Sequence, residues 1–368
     1  MKTFADLIQE VQEPGLCHQC GGCVAFCSAI NYGALELGPD GRPRFSNKEK
    51  CIECGICHSI CPVIHELDED TQKLVSWSAP MGQIMGNAVA RATDPEVRAQ
   101  ATDGGVITAL LLHLFDRGRI EAAVVSKTVG PFQRQPWLAL SRADIVAAAG
   151  FHFDTLPSIK HFSDVYTTYS PSIAGLQDVA RKPLKRVAFV GTPCQINALR
   201  RMEVLGVVPA DAIKFHFGLF CAGNFQFGPD QRQRLERIGN FTWAEVHKVN
   251  LKEELLIHLQ NGEVRAIPLP KLEFMKRHAC QFCNDYAAEF ADLSFGGLGA
   301  PEGWTTVLVR SPLGRAIFAN ARGKDIEVFN FRDNPTLMSQ VMAQVGEWSH
   351  KKKKAALEYF QALEKKAI

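Results

Sequence analysis

The first thirteen residues carry apolar side chains at helical spacing, and Pro14 and Gly15 end that segment. From residue 102 onward, apolar runs of strand length alternate with helical segments, which is the order expected of an α/β domain. A helix is predicted at 106–116, and a longer one at 336–366 with Lys351–Lys354 on its solvated face. Strands are predicted at 122–126, 185–190, 214–221, 291–295 and 305–309.

Turn signals and composition shifts divide the chain into three parts. A hairpin-like stretch is expected at 38–41, and Asn261–Gly262 between two short apolar runs is a strong hairpin signal. Residues 66–80 change from acidic to polar, which we interpret as a linker. The predicted organisation is an N-terminal module at 1–75, a second domain at 76–340 and a C-terminal helix at 341–368.

The composition is that of an ordinary globular protein, since 46% of the 368 residues are hydrophobic and 22% are charged. The chain has no run of eighteen apolar residues and no apolar secretory segment at its N-terminus, so we expect no transmembrane segment and a reducing, anaerobic cytoplasm. Residues 1–70 hold 5 basic and 11 acidic side chains, against 36 and 28 in the remainder. This asymmetry suggests that the two parts face different partners or each other, and it gives no support for nucleic-acid binding.

Two cysteine runs dominate the N-terminal module. They read Cys17-x2-Cys20-x2-Cys23-x3-Cys27 and Cys51-x2-Cys54-x2-Cys57-x3-Cys61-Pro62. In a two-cluster ferredoxin, three cysteines of each run surround one cluster and the fourth reaches the cluster of the other run. We therefore predict one 4Fe-4S cluster on Cys17, Cys20, Cys23 and Cys61, and another on Cys51, Cys54, Cys57 and Cys27.

The alternatives for these eight cysteines are a pair of zinc sites or a disulfide framework. Zinc sites usually separate two C-x2-C pairs by a longer loop, whereas here each run holds four cysteines at an iron-sulfur spacing. His18 and His58 adjoin cluster cysteines, and we interpret them as surface or supporting residues because the sulfur positions are already filled.

Four cysteines remain after the module is filled: Cys194, Cys221, Cys280 and Cys283. Cys194 falls in the first turn of a predicted helix, where the dipole favours a thiolate, and Cys221 ends a predicted strand. Isolated core cysteines and a zinc site are both open alternatives. Twelve cysteines in three sets of four favour a third 4Fe-4S cluster.

Gly104 and Gly105 precede the helix at 106–116, where free backbone N–H groups at a positive helix end could cradle a phosphate. A plain turn is the commoner explanation of two such glycines. No G-x-G-x-x-G fingerprint is present. Trp304 could stack on a ring, but core packing is the safer interpretation.

Five further segments occur in this order along the chain: Asp103–Leu111, Gly191–Gln195, Gly218–Cys221, Cys280–Asp285 and Ala291–Gly296. Together they resemble the family of beta subunits of coenzyme F420-reducing hydrogenases and dehydrogenases. With the ferredoxin module in front, the layout is similar to the input subunit of F420H2 dehydrogenases. One departure is Gly297, where relatives commonly carry an acidic residue, which puts the donor preference in question.

The resemblance implies an α+β ferredoxin module followed by an α/β domain that holds FAD and a 4Fe-4S cluster on Cys194, Cys221, Cys280 and Cys283. It implies an F420H2 dehydrogenase, an enzyme in which FAD takes a hydride from reduced coenzyme F420 and three 4Fe-4S clusters carry single electrons onward. No general acid is implied. The residues implied to bind the flavin are Gly104, Gly105, Val106, Thr108, Thr192, Pro193 and Gln195.

Two other functions are open at this stage. One is an electron-relay subunit that takes electrons from ferredoxin or a partner flavin instead of F420. The other is a ferredoxin-dependent reductase of an organic substrate. The implied partners are a ferredoxin, a heterodisulfide-reductase-like complex or a respiratory membrane complex, with the protein in the cytoplasm or docked on the cytoplasmic face of that membrane complex.

Overall fold

The computed structural model of the chain describes residues 2–30, 32–38, 40–130, 133–150, 172–225, 229–251, 254–332 and 334–367. Pro39, in the predicted turn at 38–41, lies outside the described residues. None of the helices within these ranges is long and apolar enough to cross a membrane.

Short helices around one small hairpin form the N-terminal module. Phe4, Leu7 and Val11 are buried against the cysteine segments, and the rings of Phe4 and Phe45 meet edge to face at 4.9 Å. The strands on either side of residues 38–41 pair antiparallel, as expected. The elements are α1 (Phe4–Leu7) continued by a π-helix (Ile8–Gln12), α2 (Gly22–Ala29), β1 (Leu35–Leu37), β2 (Pro43–Phe45), a 3₁₀ turn (Lys48–Lys50), α3 (Ile56–Ser59) and α4 (Asp68–Leu74).

The predicted linker at 66–80 is partly helical, because it contains α4. Arg201, which is almost completely buried, donates hydrogen bonds to the Asp68 carboxylate and the Ile64 carbonyl. This segment is therefore fixed on the second domain rather than passing freely between the two.

The second domain is built on one large mixed sheet. Its elements are β3 (Gly86–Ala92), α5 (Pro95–Gln100), α6 (Val106–Asp116), β4 (Ala122–Gly130), β5 (Gln133–Ala139), α7 (Arg142–Ala147), a 3₁₀ turn (Ser172–Gly175), α8 (Leu176–Ala180), β6 (Val187–Gly191), α9 (Pro193–Val204), a 3₁₀ turn (Ala210–Ala212), β7 (Ile213–Leu219), α10 (Pro229–Gly239), a 3₁₀ turn (Trp243–Glu245), β8 (Val246–Leu251), β9 (Glu254–Leu259), β10 (Val264–Pro268), 3₁₀ segments (Leu269–Met275 and His278–Phe282), β11 (Leu293–Gly296), β12 (Thr305–Val309), α11 (Pro312–Ala321), β13 (Ile326–Val328) and α12 (Leu337–Ala367).

The strand order of the large sheet is β13-β3-β12-β11-β7-β6-β4-β5. The four central strands β11, β7, β6 and β4 run parallel, so their carboxyl ends meet at one edge, while β5, β12, β3 and β13 pair antiparallel. Strands β3, β5 and β13 were not predicted. Strand β3 is rich in alanine, which has low intrinsic strand preference, and it is stabilised by burial between two neighbours.

Successive side chains of the central strands enter different cores, because a strand alternates its faces. Ala123 and Val125 pack with α6, whereas Val124 and Phe189 pack with α8 and α9. The second of these cores also contains Phe26 of α2. The ferredoxin module is therefore packed on one face of the sheet, beside α9.

Two peripheral elements complete the domain. Strands β8, β9 and β10 form a separate antiparallel sheet, and the turn at Asn261–Gly262 joins β9 to β10 as predicted. Helix α12 begins with buried Leu337 and Val341 against the second domain, and its Phe360 and Leu363 pack against the ferredoxin core. This single helix contacts both modules.

Candidate functional site

Two small cavities lie inside the ferredoxin module, and each is lined by four cysteines. A cavity of about 30 Å³ is lined by Cys17, Cys20, Cys23 and Cys61. A second, of about 20 Å³, is lined by Cys27, Cys51, Cys54 and Cys57. These are the two sets predicted from the spacing, including the exchange of the fourth cysteine, and their role as cluster ligands stays a prediction.

The two cysteine runs repeat the same backbone path. Gln19 and Glu53 have positive φ angles of 52° and 56°, and Gly21 and Gly55 follow at 84° and 72° to start α2 and α3. Glycine reaches such angles without the steric cost that a side chain imposes. The repeated turns fold three thiols of each run around one point, as a compact cluster requires.

The twelve cysteines, all within the described residues, are free of disulfide bonds. Across those ranges, no three histidine, cysteine or acidic side chains converge closely enough to hold a single ion. The cysteine sets of the module surround cavities instead. Four thiols around a cavity are the arrangement expected of the four ligands of one bound cluster.

The remaining four cysteines come together from distant parts of the chain. Cys194 is the second residue of α9, and Cys221 lies two residues after the end of β7. Cys280 belongs to the 3₁₀ segment His278–Phe282, and Cys283 is the residue that ends this segment. Burial raises the pKa of the Cys194 thiol well above its ordinary value, and the charges of Cys20, Cys283 and Cys221 raise it further. The expected lowering by the helix dipole is outweighed, because burial and like charge act on the same thiol.

Hydrogen bonds hold this third cysteine set in place. The N–H of Asn224 donates to Cys280 Sγ at 3.4 Å, and the N–H of Cys221 donates to the Tyr286 carbonyl at 2.8 Å. Cys283 Sγ donates to the Asp285 carbonyl at 3.6 Å. A backbone N–H that donates to a cysteine sulfur, as that of Asn224 does, could also tune the reduction potential of a bound cluster.

The three cysteine sets are neighbours in one order. The charge of Cys20 acts on the Cys194 thiol, which brings the first cavity of the module next to the third set. The pKa of the Cys23 thiol is raised by burial and then by the thiolates around it, of which Cys57 belongs to the second cavity. The first cavity is therefore a neighbour of both the third set and the second cavity.

Lys352 of α12 lies beside the third set, so the expectation that Lys351–Lys354 are exposed is wrong for it. Its ammonium is enclosed and donates hydrogen bonds to the carbonyls of Cys221 at 2.6 Å and Asp285 at 2.8 Å. Burial would lower the pKa of Lys352, but the thiolates of Cys283 and Cys221 outweigh it, and the pKa is raised.

Lys353 is also turned inward. It pairs with the buried Glu289 carboxylate at 2.7 Å and donates to the Pro80 carbonyl. Lys351 and Lys354 are exposed, as predicted, and pair only with acidic residues of the same helix in the described structure. Two of the four lysines in this run therefore direct their ammonium groups toward the protein interior.

A cavity of about 350 Å³ lies at the carboxyl ends of the parallel strands, and Cys221 of the third cysteine set is part of its wall. Cys221 and the four residues after it line the cavity, together with Gly191, the last residue of β6, and Gly296, the last residue of β11. Leu255 of β9 and Met275, the last residue of the 3₁₀ segment Leu269–Met275, also line the cavity. Clefts at this edge of an α/β sheet are the usual place for a cofactor.

Three of the residues predicted to bind the flavin lie at the start of α6. Gly105, Val106 and Thr108 line the cavity. Gly105 is the N-cap residue of α6, with a φ of 71°, and it supplies no side-chain hydrogen bond to the backbone N–H groups of the first helical turn. Such N–H groups beside a cavity are what a phosphate cradle requires. These residues fit the diphosphate of a dinucleotide such as FAD.

Gly104, which was also predicted to contact the flavin, packs against the neighbouring strand β3. It does not line the cavity, and its N–H donates to Thr305 Oγ1 at 2.9 Å while its carbonyl accepts from Ala92. A Cβ at Gly104 would lie 2.6 Å from the Ala90 carbonyl oxygen. The absence of a side chain here allows the loop to pack on β3.

The second group of predicted flavin contacts surrounds the start of α9. Thr192 and Gln195 line the cavity, whereas Pro193 is buried as the first residue of the helix and does not. Gln195 Oε1 accepts a hydrogen bond from the Thr192 N–H at 2.9 Å, so this side chain caps the helix. Thr192 Oγ1 lies 3.4 Å from Cys194 Sγ, which joins the cavity to the third cysteine set.

Gly297 stands where relatives commonly carry an acidic residue, and the acidic side chain of Asp103, from another segment, lies beside it. A Cβ on Gly297 would lie 2.7 Å from Asp103 Oδ2, and both residues line the cavity. The carboxylate of Asp103 thus occupies the space beside Gly297. Trp304 packs edge to face on Phe329 and beneath the Arg91 guanidinium, in agreement with the core interpretation.

Asp292 lies within a segment that carries the resemblance, yet it holds the fold together. Its carboxylate accepts hydrogen bonds from Arg200 at 3.1 Å, Ser311 at 2.8 Å and the His216 N–H at 2.8 Å. Although burial opposes ionisation, Arg200 and His216 together hold the pKa of Asp292 well below its usual range. Periodicity could not reveal this network, because its members are far apart in sequence.

The two histidines near the ferredoxin cysteines behave as supporting residues. His58 is buried and its Nε2 lies 2.9 Å from Glu10 Oε2. Burial lowers the pKa of His18 to about 4, and the positive charges of Lys352 and Arg277 lower it further. Arg277 also donates to the His18 carbonyl at 3.1 Å, which connects the first cavity to the second domain.

A ferredoxin module in front of an α/β domain is the architecture of an iron-sulfur electron-transfer protein. A model of the 4Fe-4S dicluster domain matches residues 9–62, which confirms the predicted module. Models of the N-terminal and C-terminal parts of the coenzyme F420 hydrogenase/dehydrogenase beta subunit match residues 88–163 and 184–333. The chain belongs to this family.

Named relatives are similar over most of the chain. The coenzyme F420 hydrogenase subunit beta of Methanothermobacter thermautotrophicus is 32% identical over 63% of this chain and 79% of its own length. An F(420)H(2) dehydrogenase subunit of Methanosarcina mazei is 27% identical over 96% of this chain and 94% of its own length, and so includes the ferredoxin part.

A solved structure supports the same fold. A chain of the F420-reducing [NiFe] hydrogenase complex from Methanosarcina barkeri superposes with a TM-score of 0.65 at 26% identity, over 78% of this chain and 94% of that chain. The family and these relatives support an oxidoreductase role with iron-sulfur clusters for the present chain.

Proposed function

We propose that the protein oxidises reduced coenzyme F420 by hydride transfer to FAD and delivers the electrons singly, through three 4Fe-4S clusters, to a redox partner protein or complex. Relatives named as F420 hydrogenase and F420H2 dehydrogenase subunits support the choice of F420. They also support a partner complex, since both are named as subunits. A ferredoxin, a heterodisulfide-reductase-like assembly or a respiratory membrane complex would each serve as partner.

The observation that carries this proposal is that one residue, Cys221, belongs to both sites. It lines the large cavity, and burial raises the pKa of its thiol to about 11, with the charge of Lys352 opposing this rise and the charges of the nearby Cys280 and Cys283 adding to it. A two-electron donor bound in the cavity would therefore lie against the third cysteine set. A hydride donor and one-electron acceptors need a carrier that can do both, which is the chemistry that a flavin supplies.

This chain's residues would do the holding and orienting. The first turn of α6, from Gly105 to Thr108, offers backbone N–H groups and a hydroxyl to a diphosphate. Thr192 and the Gln195 side chain that caps it fix the wall between the cavity and Cys194. The apolar side chains of Leu255 and Met275, which also line the cavity, would exclude water from a ring system bound there.

The cysteine order supports the direction of delivery. Cys194 is near Cys20, and Cys23 is near Cys57, so the second cavity of the module is the most distant from the large cavity along this sequence of neighbours. Exposed Ile52 and the half-buried Cys51 and Cys54 lie at that second cavity. An external one-electron acceptor would approach there.

The test is anaerobic purification, measurement of flavin and iron per chain, and rapid mixing with reduced F420 while the flavin and deazaflavin absorbance is followed. Bleaching of the flavin with return of the oxidised deazaflavin band is expected. NADH and NADPH, mixed in the same way, are the control hydride donors and should leave the flavin oxidised. A flavin that ferredoxin or dithionite reduces but reduced F420 does not would overturn the proposal in favour of a relay subunit or a reductase of an organic substrate.

A further inference from the structure

On the inward-facing side of α12, a charged residue stands at a position where the pattern of buried residues calls for an apolar one. Val341, Val345 and Ala356 are buried at helical spacing, and Lys352 falls on the same side, four residues before Ala356. A buried ammonium is costly unless hydrogen bonds and opposite charge compensate it. The position therefore needs a reason beyond helix packing.

Aromatic contacts fix α12 on both sides of the Cys283 segment. Trp348 stacks on Tyr286 with ring centroids 5.8 Å apart, and Phe360 meets Phe282 at 5.0 Å. The two contacts are twelve residues apart on the helix, about 18 Å at 1.5 Å per residue. Lys352 lies between them, so its ammonium is held on the segment rather than swinging from a free side chain.

Both hydrogen-bond acceptors of the ammonium belong to the segments that supply the third cysteine set. One is the carbonyl of Cys221 itself, and the other is the carbonyl of Asp285, which also accepts from Cys283 Sγ. The ammonium thus lies in the interior next to thiols from two different parts of the chain. Its charge is only weakly screened by water there.

We propose that Lys352 sets the reduction potential of the third iron-sulfur cluster by placing a permanent positive charge beside two of its ligand segments. The proposal rests on the ligand set assigned to that cluster under the proposed function. A cluster held by four thiolates is anionic and gains one more negative charge on reduction, with the electron supplied by the reduced flavin. A fixed cation beside it stabilises the reduced state and raises the potential.

The same helix offers matched variants. Lys352→Met removes the charge at similar length, Lys352→Gln removes the charge but keeps a donor, and Lys352→Arg keeps the charge. Lys351→Met is the control, because Lys351 is the adjacent residue, is exposed and pairs with Glu347 at 2.6 Å. None of these changes touches a cysteine side chain.

The experiment is a redox titration of the full-length holoprotein with dithionite and mediators, followed by electron paramagnetic resonance, after iron has been counted. Cys280→Ser identifies which of the three titration steps belongs to the third cluster. In Lys352→Met and Lys352→Gln that step should move to more negative potential by at least a tenfold change in the reduction equilibrium, 59 mV for a one-electron couple. The two ferredoxin steps, Lys352→Arg and Lys351→Met should stay near the parent values.

Each outcome decides the proposal. An unmoved third step in either neutral variant that keeps its iron overturns it. Loss of the third cluster's iron from both neutral variants also overturns it, because Lys352 would then be a structural residue. The titration uses no F420, so failure of the proposed hydride donor leaves it unaffected, and an iron count of two clusters in the parent protein would instead refute the ligand set.

Discussion

Each of the two cysteine sets of the ferredoxin module has four thiols, as the third cysteine set does, but the module and the third set assemble them by opposite means. In the module, both sets come from residues 17–61, and left-handed turns such as Gly21 and Gly55 fold them locally. In the third set, the thiols come from residues 194–283 and the adjacent ammonium from Lys352. The first kind of site depends on a short motif, and the second depends on how the large sheet and α12 pack together.

The largest expected effect separates these two dependences. Cys280→Ser should remove the third cluster and about a third of the iron while leaving both ferredoxin clusters loaded, because the module has its own core. Reduction of the flavin by its donor should persist, and delivery to the ferredoxin clusters should be lost. Iron analysis with donor-driven electron paramagnetic resonance would measure both.

Cys54→Ser is the matched change in the module, since Cys54 lines the second cavity. It should also lose about a third of the iron, but the third cluster should still be reduced through the flavin. If Cys280→Ser empties the ferredoxin cavities as well, the two regions are not independent and the comparison fails.

The same contrast explains what could be predicted from the sequence. The cysteine spacing of the module is local, so the module and its two sets could be predicted from the spacing alone. The third set could be assembled only by counting cysteines and by resemblance. Lys352 was predicted to be exposed because a run of four lysines is typical of a solvated face, whereas the packing of Trp348 and Phe360 turns Lys352 inward.

Gly104 shows a further limit. Two glycines before a helix favour a phosphate cradle, but whether a glycine faces a ligand or a neighbouring strand is decided by tertiary packing. Gly105 faces the cavity, whereas Gly104 is pressed against Ala90 of a strand whose alanine-rich sequence gave no strand signal. The contact and the strand were therefore missed together.

A second prediction tests how much the cavity region depends on that packing. Gly104→Ala would place a Cβ 2.6 Å from the Ala90 carbonyl oxygen and 3.0 Å from Arg91 Cα. Because backbone atoms cannot move aside cheaply, we expect the free energy of unfolding to fall by about 3 kcal/mol. Denaturant unfolding under anaerobic conditions would measure the change.

Gly86→Ala is the control in the same strand, since its Cβ would meet only Val309 Cβ at an ordinary 3.8 Å. Its free energy of unfolding should stay within about 0.5 kcal/mol of the parent value. Equal stability of the two variants would show that the loop before α6 can shift, and that the assembled region is less tightly specified than we infer.

The third prediction concerns pH, through Glu289 beneath α12. Burial and then the charge of Asp285 raise the pKa of Glu289 to about 7, although Lys353 and Trp77 favour its ionised form. A carboxyl group whose pKa is higher in the folded state stabilises the fold below its ordinary pKa, and this stabilisation is lost as pH rises through 7. The parent protein should therefore lose about 2 kcal/mol of unfolding free energy from this group between pH 5 and pH 8.

Glu289→Gln removes the titrating group at nearly constant volume, so this part of the pH dependence should disappear. Unfolding free energies of both proteins at pH 5 and pH 8 provide the measurement. Asp292 does not contribute in this window, because its depressed pKa keeps it ionised until the solution is strongly acidic. A parent protein that becomes more stable between pH 5 and pH 8, with Glu289→Gln following the same course, would contradict the assignment.

The smallest expected effect lies at the outer end of the module. Ile52 is 57% exposed beside Cys51 and borders the second cavity, whereas Val264 is 46% exposed on β10 in the separate three-stranded sheet. With cytochrome c as a protein acceptor, Ile52→Lys should slow electron delivery a few-fold, because a charge at the rim of a docking surface changes the association rate. Val264→Lys should not, and reduction of benzyl viologen, which needs no protein docking, should be the same in both variants.

Both changes are at the surface and should alter stability by less than about 0.5 kcal/mol. If Val264→Lys slows cytochrome c reduction as much as Ile52→Lys does, the acceptor does not approach at the second cavity, and the order of the three cysteine sets would not determine where electrons leave the protein.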